Sequence, residues 1–212
     1  MTDSGLLALT QWLSPAFPVG GFAYSHGLEH AISTGAVGDA DTLEVWLTDV
    51  IARGSGRADA ILLCAAMAMD ADWRALDALG RALAPSRERL AETLAQGTAF
   101  TEATNALHGT SHPPVPLPVA VGRAARALDL PPAQVAGFYL QSFASNLVAG
   151  AVRFVPLGQS AGQAALAALH PLILDVARRA ATASVDDITS AAPGADLAAM
   201  AHETMDVRIF KT

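Results

Sequence analysis

LPPAQVAGFYLQSFASNLVAGAV (Leu130 to Val152) and FVPLGQSAGQAALAALHPLIL (Phe154 to Leu174) contain no Asp, Glu, Lys or Arg, and Arg153 alone separates them. Each run is long enough to cross a bilayer as a helix. The first, however, carries Gln134, Gln141, Ser142, Ser145 and Asn146, and the second Gln159, Ser160, Gln163 and His170. Amides and hydroxyls are costly in hydrocarbon unless a partner satisfies them. The better reading is a set of helices buried in a bundle, with a small helical membrane protein as the alternative. Pro131-Pro132 opens the first helix, Pro156-Leu157-Gly158 breaks it, and a second run from Gln159 to Ala183 stops or kinks at Pro171. Gly137, Ala144, Ser145, Ala149 and Gly150 would let a neighbouring helix approach closely.

Outward from this stretch the helical signal continues. Leu6 to Leu13 reads as a short helix ending at Pro15. Asp41-Thr42-Leu43-Glu44 resembles a capping box opening a helix through Arg53, with Leu43, Trp46, Leu47, Val50 and Ile51 as its core face. Helices follow over 57–70, 72–83, 86–107 and 117–128, and a last one from Asp196 to Met205. Arg87, Glu88, Arg89 and Glu92 read as a solvated face. Residues 111–118 form a proline-rich connector between helices of one type, so the spacing predicts one domain over 1–212. No sustained alternation or hairpin turn signals a strand. The fold class is all-α, an irregular single-domain bundle of about ten helices.

Composition narrows the function. Hydrophobic residues make up 52% and charged residues 16%, against about 25% charged in an ordinary soluble domain. Apolar surfaces covered by association explain that deficit. The net charge of −7, with no Lys/Arg run, argues against a nucleic-acid footprint. Cys64 is the single cysteine, which excludes an intrachain disulfide and suits a reducing compartment; its apolar surroundings make it a small core residue. Met1 to Gly5 lacks the basic start of a secretory leader, and the Leu6 to Leu13 run is too short for its core.

SPAFPVGGFAYSHGLEH, Ser14 to His30, carries two competing readings. His26, Glu29 and His30 fit H-x-x-E-H, which on a helix sets two imidazoles and a carboxylate together as in a zinc hydrolase, with Glu102 as a further ligand. Gly27 inside the motif weakens that helix by about 1 kcal/mol. The bland form is two partly exposed histidines on a short helix, with Phe22, Leu28 and Ile32 buried. No phosphate loop, Cys-x-x-Cys, nucleophile elbow or dinucleotide fingerprint is present. An interaction protein is favoured over an enzyme.

The second reading takes the whole stretch. Ser-Pro-x-x-Pro-Val-Gly-Gly-Phe-x-Tyr-Ser-x-Gly-Leu-Glu resembles the N-terminal signature of the UreF family of urease accessory proteins. Ser86-Arg87-Glu88-Arg89 with Gly97 to Phe100, Val152 to Gln159, and the tail from Ala201 to Lys211 resemble three further family segments. In the tail, Met205, Asp206 and Val207 replace the usual Tyr and Ser. The resemblance implies an all-helical, cytoplasmic, homodimeric chaperone without catalysis or a cofactor of its own. It would bind UreD/UreH and the GTPase UreG, regulate GTP-dependent nickel delivery, and reach apo-urease through that complex. Pro18, Gly20, Gly21, Tyr24, Ser25, Gly27, Glu29 and Arg153 would face the GTPase. His202, Glu203, Arg208 and Phe210 of the tail would dock on UreD/UreH. It implies no catalytic residue and no metal ligand.

Overall fold

The computed structural model describes residues 3–212; of the Met1–Gly5 segment, Met1 and Thr2 lie outside the described residues. The helices are α1 (Asp3–Trp12), α2 (Leu28–Ser33), α3 (Ala40–Ala52), α4 (Ser55–Met67), α5 (Trp73–Ala82) and α6 (Arg87–His108). They continue with α7 (Leu117–Ala125), α8 (Pro132–Phe154), α9 (Gln159–Ala168), α10 (His170–Ala180) and α11 (Pro193–His202). No strand occurs among the described residues, and the chain is an all-α bundle around one contiguous core.

α8 lies at the centre, packed on α2, α4, α9 and α10. It and the Gln159–Ala180 run are apolar enough to span a membrane by composition, yet half of the most apolar stretch of α8 is covered by protein. Two of its polar groups bond inside the bundle: the Tyr139 hydroxyl donates to Asp59 at 2.8 Å and Ser142 to the Leu13 carbonyl at 2.8 Å. That use of side chains is what a bundle needs and hydrocarbon would not supply.

The second apolar run divides at Leu169. Pro171 sits in the first turn of α10, where a missing N–H leaves no bond unmade. α3 opens two residues earlier than the capping pattern at Asp41 predicts. Asp39 is the cap, its carboxylate accepting the Thr42 N–H at 2.9 Å, and Thr42 answers by accepting the Asp39 N–H at 3.1 Å. The proline-rich connector is no boundary: a Cβ on Gly97 of α6 would sit 2.0 Å from the Val115 carbonyl oxygen. α7 approaches α4 as closely, at Gly122. Cys64 packs against the core, and burial pushes its thiol up to about 12.

Burial expectations fail at Phe22 and at the charged start of α6. Phe22 is 66% exposed, because Gly21–Ala23 forms a single 3-10 turn and the α-helix begins only at Leu28. Arg89 and Glu92 do not form a solvated face; they are 7% and 3% exposed and pair with each other inside the fold.

Candidate functional site

The 14–30 segment is a series of turns fixed by its glycines and prolines, and α2 begins only at Leu28. Gly27 has φ +77°, and a Cβ there would lie 2.6 Å from the Ala199 amide nitrogen, so α11 packs directly on its backbone. His26 is also left-handed, at φ +58°. It therefore stands outside α2 and shares no helical face with His30, which removes the geometry that the H-x-x-E-H reading requires. His26 is also buried, not the partly exposed histidine expected. Glu102 is exposed on α6, and among the described residues no group of His, Cys, Asp and Glu is arranged to hold a metal ion.

The C-terminal tail lies against this segment. The Lys211 N–H donates to the Ala23 carbonyl at 2.8 Å, and the Ser25 N–H to the Thr212 carbonyl at 2.9 Å. The Ser25 hydroxyl donates to the same Thr212 oxygen. Glu29 is the centre of the contact. Its carboxylate accepts the Ile209 N–H at 2.8 Å and the Phe210 N–H at 2.9 Å, and meets His202 Nε2 at 3.0 Å. Those hydrogen bonds hold the Glu29 carboxyl below its ordinary value although burial alone would raise it. Phe210 is buried against Gly150 and the ring of Phe154, with centroids 5.2 Å apart. Arg208 donates to Glu88 at 2.6 Å.

Beneath the tail is a buried ionic cluster that sequence reasoning missed. Glu92 pairs with Arg89 and lies 3.0 Å from His26 Nδ1; it also accepts from Gln96 at 3.1 Å and from the Thr212 hydroxyl at 2.9 Å. Burial would raise the Glu92 carboxyl, but Arg89 and then His26 hold it at about 2. Burial, then Arg89, lowers His26 from its ordinary value. Among the described residues His26 Nε2 has no hydrogen-bond partner. A cavity of about 80 Å³ adjoins it, lined by Trp12, Ser14, Val19, Asp59 and Tyr139 among others.

Burial pushes Asp59 up to about 6 from 3.8, against the pull of Arg89. A raised carboxyl value means that ionisation opposes folding, so stability falls as pH rises from 3.8 to about 6. Asp59→Asn keeps an acceptor for the Tyr139 hydroxyl and removes the charge. It is expected to stabilise the protein at neutral pH by about 1–3 kcal/mol and to flatten that pH dependence. Urea unfolding at mildly acidic and neutral pH checks this; an unstabilised variant at neutral pH refutes it.

Ser25 and Glu29, assigned to one partner, thus meet His202 and Phe210, assigned to another, or the tail beside them. Pro18, Arg153 and Arg208 are exposed, and Gly20, Gly21, Tyr24, Glu29 and Glu203 are half-exposed. Ser25, Gly27, His202 and Phe210 are buried. Exposed Phe22, Val207 and Ile209 supply apolar contact area that the motifs did not single out. Phe22 carried a signal, as an aromatic side chain directly after Gly20-Gly21, but was assigned to the core.

The family model for UreF matches residues 37–170, leaving the N-terminal segment and tail to full-length relatives. The chain is 60% identical over 210 residues to a urease accessory protein UreF of Cereibacter sphaeroides, covering 99% of this chain and 100% of that protein. A UreF of Paracoccus denitrificans is 52% identical over 210 residues, covering 99% and 97%. One from Roseobacter denitrificans is 50% identical over 213 residues, covering 100% and 96%.

Proposed function

The chain belongs to the UreF family of urease accessory proteins, and from that premise we propose that it is a non-catalytic adaptor which bridges UreD/UreH and the GTPase UreG. Its role in urease maturation follows from the family. In this reading it acts in the cytoplasm as a homodimeric chaperone, regulates GTP hydrolysis by UreG, and helps to pass nickel to apo-urease. It contributes binding surface and no reacting group.

One observation carries the reading: the N-terminal segment and the tail, assigned to different partners, are hydrogen-bonded into a single surface through Ser25 and Glu29. An adaptor needs adjoining sites on a rigid support, and α8 and α11 supply it. Exposed arginines and aromatic side chains are the groups that anchor protein interfaces, and this surface presents Arg153, Arg208 and Phe22.

Arg153 is the cleanest probe because it is exposed at the end of α8. Arg153→Ala is expected to keep the wild-type melting temperature and to weaken UreG binding by about tenfold. Gel filtration with light scattering of the chain with UreD/UreH and UreG reads both the ternary species and its loss. No ternary species with wild-type protein in the presence of nickel and GTP would overturn the adaptor reading. Unchanged UreG affinity in the variant would remove Arg153 from the interface.

A further inference from the structure

His202, the last residue of α11, is wholly buried between two carboxylates. Its Nδ1 lies 2.7 Å from Glu88 Oε2 on α6, and its Nε2 lies 3.0 Å from Glu29 Oε2 on α2. An ionised carboxylate only accepts hydrogen bonds, and a neutral imidazole has one donor and one acceptor nitrogen. With a neutral ring, one nitrogen lone pair would face a carboxylate at hydrogen-bond distance, on a side chain with no exposure to solvent. Both contacts are satisfied together when both nitrogens carry protons.

The surrounding charge agrees. Glu203 adds a third carboxylate, accepting the Glu88 N–H at 3.2 Å and pairing with Arg87 at 3.2 Å. Arg208 pairs with the other oxygen of Glu88. Three carboxylates (Glu29, Glu88 and Glu203) thus meet two guanidinium groups (Arg87 and Arg208), and a protonated His202 completes the balance.

We infer that His202 is a buried proton-binding site whose occupancy latches the C-terminal tail onto the N-terminal segment. The coupling runs through two shared groups. The Glu29 oxygen that meets His202 also accepts the Phe210 N–H, and the Glu88 carboxylate that meets Nδ1 also holds Arg208. Loss of either ring proton turns one of these contacts repulsive and displaces a tail anchor. Tail docking therefore takes up a proton, and rising pH releases the tail, uncovering Ser25 and the Glu29 carboxylate. The inference concerns the chain alone and stands independently of the partner assignment.

The test is NMR on the full chain with isotope-labelled histidine and backbone amides, across mildly acidic to alkaline pH. The expected result is a ring protonated at both nitrogens while the tail is ordered. Order at the Ile209 and Phe210 amides should then be lost on the same pH curve as the ring proton. Glu88→Gln gives one ring nitrogen a partner that can donate, so release should shift to higher pH or disappear. A singly protonated ring with an ordered tail overturns the inference, as does tail order unchanged while the ring loses its proton. If Glu88→Gln loosens the tail equally at every pH, Glu88 is a structural contact and the latch is refuted.

Discussion

Glu92→Leu is expected to destabilise the fold by about 3–5 kcal/mol, because it strands the buried Arg89 without its counter-charge. The same change takes the acceptor from the Thr212 hydroxyl and Gln96 and the partner from His26 Nδ1. Glu92→Gln, which keeps an acceptor oxygen, should lose less. The pH dependence follows from the Glu92 carboxyl being held at about 2 against an ordinary 4.5. A depressed carboxyl stabilises the fold above its ordinary value, and that stability is lost as pH falls from 4.5 toward about 2. The Leu variant should therefore show a flatter acid limb. Urea unfolding over that range gives both readings, and a loss below about 1 kcal/mol at neutral pH would show that Arg89 finds other compensation.

Gly122→Ala is expected to cost about 3 kcal/mol, since overpacking a buried backbone contact cannot be relieved by a side-chain rotation. The added Cβ would stand 2.2 Å from the Leu63 carbonyl oxygen and 2.9 Å from the Ala66 Cβ. α4 and α7 would have to separate along a contact that buries Leu63 and Val121. Gly137→Ala is the control. Its Cβ would meet Ala177 at an ordinary 3.8 Å, and alanine in mid-helix should gain about 0.5–1 kcal/mol. Thermal unfolding of both separates close packing from helix propensity. A Gly122→Ala protein that melts with wild type would show the two helices free to part.

The two extremes trace what the sequence carries. Helices 3–12, 87–108 and 132–154 were legible because apolar periodicity, prolines and caps are local signals. The start of α3 was misplaced by two residues because Asp39 and Asp41 have the same capping chemistry, and the Thr42 hydroxyl turned back to Asp39. The site was legible as a set of motifs and not as a geometry. Arg89 and Glu92 look like surface charges at i,i+3 spacing on a helix. They are buried because His26, 63 residues from Arg89, and Thr212, 120 residues from Glu92, come to meet them. Phe22 erred in the opposite sense: an aromatic beside a helix pattern is usually core, and two glycines turned it outward.

The pairing of Ser25 with Thr212 joins groups 187 residues apart in the chain. On a ribosome adding about 5–20 residues per second, the N-terminal segment waits on the order of ten to forty seconds for the tail that completes it. Throughout that interval Glu29 lacks the tail amides that it accepts, and Arg89 and Glu92 lack the Thr212 hydroxyl that closes their cluster. The nascent bundle can assemble its helices in order, but the contact between the N-terminal segment and the tail forms only once Thr212 has been added.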